Sequence, residues 1–182
     1  MNHSINRRTF LSHLGLGLSG SLLTTGVWAD LAGTKDRHLS LRNLHTNESL
    51  TVTYCRNGQY DSGALYDINQ VLRDHRTNDS HQMSLGLLDT LSLLQASCGA
   101  NKEMHIISGY RSPKSNEHLR SNSQGVAKRS LHMTGQAADI RIPGIDIEEL
   151  RKSAAKLKAG GVGFYPKSGF IHLDVGRVRY WS

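Results

Sequence analysis

Ser130-Leu131-His132-Met133-Thr134-Gly135-Gln136-Ala137-Ala138-Asp139-Ile140-Arg141-Ile142 sets a histidine and an aspartate seven positions apart, with a glycine and two alanines between them. A second stretch, Phe170-Ile171-His172-Leu173-Asp174-Val175, puts another histidine in the middle of an apolar run. The second reads as a strand. Its side chains alternate, so Ile171 and Leu173 share one face and Phe170, His172 and Asp174 share the other. With Ile171 and Leu173 turned to the core, His172 stands in a cleft or on the outer surface with Asp174 beside it. The first stretch reads as a loop that runs into a strand over 136–142, broken by Pro143-Gly144. His132 and Asp139 converge only if Thr134-Gly135-Gln136 turns tightly, and the small Ala137 and Ala138 let an ion come close to the backbone. Taken singly, His132 is a loop histidine and Asp139 a surface carboxylate. Together with His172 they form a three-donor set of the kind catalytic zinc uses, which leaves one coordination position for water.

Outward from these stretches the chain alternates in type. Residues 37–42 and 50–54 each show a period of two, with turn residues Thr46-Asn47-Glu48 between them, which predicts a β-hairpin. Ala64, Leu65, Ile68, Val71 and Leu72 fall at helical spacing, and Ser84 caps a second helix carrying Leu87, Leu88, Leu91 and Leu94 that stops before Gly99. Residues 102–107 predict a strand that opens into Ser108-Gly109-Tyr110-Arg111-Ser112. Ser112 then caps a short helix with Pro113 at its first position, where a missing N–H is harmless. Residues 125–129 form a basic, glycine-containing loop. Asp146 and Glu149 make a capping box for a helix that Gly160-Gly161 ends. Residues 162–165 and 170–175 form a last hairpin. Helices and strands mix without a βαβ rhythm, so the expected fold class is α+β: one compact domain, a central antiparallel sheet and flanking helices. His75, His81 and His118 are expected as solvated surface residues. Tyr110, Phe164 and Tyr165 are either groove-lining or plain packing residues, and His45 and His105 are not placed at the site.

Asn6-Arg7-Arg8-Thr9-Phe10-Leu11 is a twin-arginine pattern. It precedes a short apolar, Gly- and Ser-rich stretch and a small-residue site at Ala29, which together predict a Tat export signal over 1–29 and a single domain over 30–182. Removing that signal takes away Arg7 and Arg8 and no acid, which leaves +5 of the formal charge of +7. A positive surface favours an anionic polymer such as a cell wall or lipid headgroups. No basic run is interleaved with aromatics, which argues against nucleic acid. No apolar run reaches the length of a membrane span, so no stable span is expected in the mature form. Cys55 and Cys98 are the only cysteines, readable either as a disulfide or as two buried thiols.

The pattern Ser-x-His-x-x-Gly-x-Ala-x-Asp at 130–139, with a downstream strand histidine at 172, resembles the zinc motif of the D-Ala-D-Ala metallopeptidases. These belong to the group that also holds lysostaphin and sonic hedgehog. Ser108-Gly109-Tyr110-Arg111-Ser112, the turn at 160–163 and the Phe-x-His-x-Asp ending at 170–174 are most similar to the YcbK-like murein endopeptidases. The resemblance covers nearly the whole chain and implies a hedgehog/D-Ala-D-Ala-peptidase-like fold. It implies one Zn2+ held by His132, Asp139 and His172, and a zinc-activated water that hydrolyses peptide cross-links of peptidoglycan in the periplasm. Arg111 would bind a substrate carboxylate or the developing oxyanion, and Ser130 would add a hydrogen bond to substrate. The group's usual acid or second histidine before the last ligand is replaced here by Gly169 and Phe170. Asp174 is then the candidate general base, or else the partner that orients His172. Stem-peptide cleavage by a D,D-carboxypeptidase and a non-catalytic zinc protein that binds the wall remain the other readings.

Overall fold

Leu39 and Leu41 alternate with the half-buried Ser40 and Arg42 along the first strand, β1 (Arg37–Asn43), so one edge of that strand is committed to the core. The computed structural model describes residues 36–99, 102–123 and 125–182; the export signal expected over 1–29 lies outside the described residues. β1 pairs antiparallel with β2 (Ser49–Arg56), the expected hairpin, and β2 continues into the two-residue β3 (Gln59–Tyr60).

Helix α1 (Ser62–Val71) is capped by the Asp61 side chain, and α2 (Leu85–Ser97) begins after Ser84. Strand β4 (Met104–Ser108) leads to helix α3 (Pro113–Asn122), where the Ser112 hydroxyl accepts from the Ser115 N–H and proline occupies the first turn. A single 3₁₀ turn over Leu131–Thr134 precedes β5 (Ala137–Arg141). Helix α4 (Ile147–Leu157) has Asp146 accepting from the N–H groups of Glu148 and Glu149. It stops before the expected Gly160-Gly161, because Lys158 turns into the left-handed region at φ 52° and Gly161 is already part of the next strand. The last three strands are β6 (Gly161–Tyr165), β7 (Phe170–Asp174) and β8 (Arg179–Trp181).

The eight strands form one sheet in the order β3-β2-β1-β4-β5-β7-β6-β8. It is the α+β sheet expected, largely antiparallel, with two parallel pairings, β1 with β4 and β6 with β8, that local periodicity does not reveal. Ile68 and Val71 of α1, the capping Leu72, and Leu87 and Leu91 of α2 cover one face and make a single core with Leu39, Leu41, Met104, Ile106, Ile140 and Ile171. Burial of this apolar face is the dominant stabilising term, at about 25 cal/mol per Å² removed from water. The opposite face of β5 and β7 is left for polar side chains. Cys55 and Cys98 are both free thiols. No helix among the described residues is long and apolar enough to cross a membrane.

Candidate metal centre

Three adjacent strands present the site in register. Asp139 of β5 lies opposite His172 of β7, and His172 lies opposite Gly163 of β6. Ile171 and Leu173 are buried in the core, which turns His172 and Asp174 to the other face, as the period of two requires. His132 arrives from the 3₁₀ turn. That turn is closed by Gly135 at φ 65°, a left-handed conformation that suits glycine, and a Cβ there would lie 2.5 Å from the Gln82 carbonyl. The tight turn needed to bring residue 132 back towards residue 139 is therefore made.

The three donor atoms form a small triangle. Asp139 Oδ1 is 2.9 Å from His172 Nδ1 and 3.3 Å from His132 Nε2, and the two imidazole nitrogens are 3.2 Å apart. Tetrahedral ligands held at the usual zinc distances stand about 3.3 Å from one another. The observed triangle has that size, so one ion can touch all three.

The far side of each ring is also fixed. His132 Nδ1 is 2.7 Å from the Gly109 carbonyl, which can only accept, so this nitrogen carries the proton and Nε2 keeps its lone pair for the triangle. His172 Nε2 is 3.1 Å from Asp174 Oδ2, which leaves Nδ1 turned to Asp139. Such partners on the outer nitrogen set the tautomer and orientation of metal-bound histidines.

The electrostatics favour a cation. Burial works against the Asp139 carboxylate, but the charges and hydrogen bonds of His132 and His172 hold it well below the usual range. Burial likewise works against a charged His172, yet its hydrogen bonds to Asp139 and Asp174 push it up overall. Asp139 therefore stays ionised, and its charge together with that of Asp174 favours positive charge at the triangle.

Asp174 is nearly sealed from solvent at 1% exposure. Its Oδ1 accepts from the N–H groups of Gly161 and Gly176 and from Arg179, and its Oδ2 meets His172 and a second Arg179 nitrogen at 2.6 Å. Both oxygens are occupied, and Oδ2 sits on the outer nitrogen of His172. Of the two readings open for Asp174, these contacts are the ones a partner orienting His172 would make, and the choice between them belongs to the proposal below.

Above the triangle lies a cavity of about 600 Å³. Arg111 enters it from the loop after β4, with one guanidinium nitrogen 3.5 Å from Asp139 Oδ2 and 3.4 Å from Ser108 Oγ. Its Nε is buried without a partner among the described residues. Burial lowers the Arg111 pKa and Asp139 opposes that shift. Ser130 and the basic loop with Arg129 line the same cavity.

Of the aromatics weighed from the sequence, Tyr165 lines the cavity, while Tyr110 stacks on His81 and Phe164 packs at the core under Arg151. His45 stacks on His75, which is half-buried rather than fully solvated, and His105 pairs with Glu103. The residues not anticipated are Arg179 and Trp181. Their signal is present in the alternating, aromatic Arg179-Tyr180-Trp181 after Gly176, but three residues are too short a run to weigh as a strand on their own.

An α+β sheet with two imidazoles and a carboxylate clustered at the floor of an open cavity has the architecture of the metallopeptidase group named above. The chain belongs to the family described as Peptidoglycan L,D-endopeptidase MepK, whose profile matches residues 31–181. Its relatives include the peptidoglycan L,D-endopeptidase MepK of Escherichia coli, 42% identical over 176 residues that cover 97% of each chain. A probable peptidoglycan L,D-endopeptidase MepK of Haemophilus influenzae is 39% identical over 178 residues, covering 97% of this chain and 96% of the relative.

Proposed function

We propose that this protein is a zinc-dependent peptidoglycan endopeptidase that hydrolyses an L,D peptide bond at diaminopimelate in cell-wall cross-links. The observation that carries the reading is the donor triangle of His132, Asp139 and His172, with the proton of each ring held on its outer side and Arg111 beside it. The names of the relatives favour the L,D bond over the D,D bond. The twin-arginine segment supports export to the periplasm, where that substrate lies, and the positive charge favours dwelling near an anionic wall.

Zinc held by these three residues supplies Lewis acidity and a water acidified towards neutral pH. The remaining work belongs to the chain. Arg111, whose planar fork suits a carboxylate or an oxyanion, holds the substrate oxygen next to Asp139. Ser130 contributes a hydrogen bond at the cavity wall. Asp174 keeps His172 aligned and is a positioning residue, with no free oxygen to take a proton from water. The open cavity admits a cross-linked strand rather than a closed chain terminus, which favours the endopeptidase over the carboxypeptidase.

One observation favours a second reading. Asp139 and Asp174 are the only carboxylate side chains lining the cavity among the described residues, and both are committed. A zinc protein that binds wall peptides without turnover would look like this.

Digestion separates the two. Zinc-loaded protein incubated with purified sacculi and with defined L,D- and D,D-linked muropeptide dimers is expected to split the L,D dimer, and His172→Ala is expected to split neither. Equal fragment release by both proteins would overturn the peptidase reading.

A further inference from the structure

The cavity that Arg111 lines also carries an exposed phenol, Tyr165, held by aromatic neighbours on two strands. Tyr165 is the last residue of β6 and pairs with Phe170 across the β6–β7 hairpin, and their rings stack at 4.7 Å. From the other side Trp181 of β8 lies opposite Gly163. A Cβ at position 163 would sit 2.6 Å from the indole ring carbons, so the indole can lie across β6 only because residue 163 has no side chain. In that position the Trp181 Nε1–H donates to the Tyr165 hydroxyl oxygen at 3.0 Å.

A phenol has one hydrogen to give and lone pairs to receive with. The indole, which can only donate, occupies a lone pair. No group among the described residues accepts the Tyr165 hydrogen, and Tyr165 lines the cavity together with Arg111, His132, Asp139 and His172. The donor is thus turned by its neighbour and left without an internal partner.

The same indole is tied to the donor triangle. Its ring is 5.3 Å from the His172 ring, and the Arg179 guanidinium lies 4.8 Å over it while pairing with Asp174. Movement of Trp181 would therefore disturb both the hydroxyl and the residues behind His172.

We propose that Tyr165 is a further substrate-binding residue, its hydroxyl donating a hydrogen bond to a carboxylate or amide oxygen of the stem peptide, and that Trp181 is the positioning residue that aims it. The proposal rests on the cavity being a peptide site, as argued above, and adds a second donor in the cavity that Arg111 also lines. An oxygen or strand held by two donors is fixed in more directions than one held by Arg111 alone.

The test is a double-mutant cycle on the zinc-loaded chain, using Tyr165→Phe, Trp181→Phe and the pair of changes together. Tyr165→Phe removes only the hydroxyl, whereas Trp181→Phe keeps an aromatic ring but loses the Nε1 donor together with part of the indole surface against His172 and Arg179, so zinc content and melting temperature are measured for each protein. Tyr165→Phe is expected to lower kcat/KM on the L,D-linked dimer by about 10- to 100-fold with zinc content unchanged. Trp181→Phe is expected to lower it less, and the double variant to be no worse than Tyr165→Phe. A loss confined to KM assigns the bond to a ground-state carboxylate, and a loss confined to kcat assigns it to the reacting carbonyl oxygen. Activity of Tyr165→Phe within twofold of wild type, or two losses that simply multiply, would overturn the proposal. Calorimetric titration with the stem tripeptide ending in diaminopimelate runs the same cycle on binding. Should the wild type fail to cleave, the peptidase reading falls, and equal tripeptide affinity of wild type and Tyr165→Phe still decides against Tyr165.

Discussion

Asp174 spends both oxygens on five contacts, and burial, which by itself would raise its pKa, is outweighed by His172, Arg179 and two backbone N–H groups that hold it well below the usual carboxylate range. Asp174→Asn keeps the shape and removes the charge that orients His172 and pairs with Arg179. Zinc affinity is expected to fall by about 10- to 100-fold, as for other losses of a ligand's outer partner, read by competition with a chromogenic chelator. Arg111→Lys is expected to behave differently. A lysine cannot reproduce the planar fork, so cleavage of the L,D dimer should fall by about 10-fold or more while zinc stoichiometry stays at one. Equal zinc affinity in wild type and Asp174→Asn would remove the orienting role assigned to that carboxylate.

Two acid transitions also belong to single residues. Burial, the neighbouring His45 and Arg76 push His75 down to about 4, so the unfolded chain binds its proton more readily than the folded one. Stability is expected to decline as pH falls from the unfolded histidine value of about 6.5 towards that value, and His75→Gln should flatten this limb. Asp74 is shifted down as well, for a different reason. Burial opposes its charge, but the nearby Ser115 and Ser112 hydroxyls and the N–H groups of Ser112 and Arg76 hold its pKa well below normal. Its contribution is present above the unfolded carboxylate value of about 3.9 and is lost only below it, so Asp74→Asn should remove a separate, more acidic limb. Urea unfolding followed across pH resolves the two windows.

At the scale of elements, β7 carries the site because its two neighbours are fixed independently. This strand was legible in the sequence: Ile171 and Leu173 alternate with His172 and Asp174, and a period of two assigns faces without knowledge of any partner. The first hairpin and the caps at Ser112 and Asp146 were legible for the same reason, since each is a local rule. The parallel pairings of β1 with β4 and β6 with β8 were not, because alternation names a face and never a neighbour. The site divides along the same line. Clustering of His132, Asp139 and His172 could be suspected from residue types and family motif, whereas the engagement of Asp174 by Arg179 depends on where β8 lands. Gly163→Ala tests that landing. The new methyl would meet the indole at 2.6 Å, so Trp181 must leave its place on β6. A stability loss of about 1–3 kcal/mol is expected, with lowered activity, measured by urea unfolding and dimer cleavage.

For the whole molecule, one core runs from β2 to β6, so unfolding of the described residues is expected to be a single cooperative transition. An ion that binds only the folded triangle shifts that transition by mass action. At a free zinc concentration about 100 times Kd the gain is about 2.7 kcal/mol. For a domain of this size that raises Tm by about 5–10 °C, lost on chelation and restored by zinc in differential scanning calorimetry. A Tm unmoved by chelator would mean that the triangle holds no ion.

The register of β5, β7 and β6 has one more consequence. Asp139, His172 and Gly163 face one another across three strands, β6 and β7 joined as a hairpin and β5 well upstream of both. Sliding β7 by a single residue would send the imidazole into the leucine-rich interior and bring an aliphatic group to the surface in its place. No intermediate alignment retains a partial version of the triangle. On the zinc reading proposed above, capture of the ion would act as a proofreading signal: wall cutting would stay silent in any mispaired chain and switch on only once the strands have found their correct neighbours.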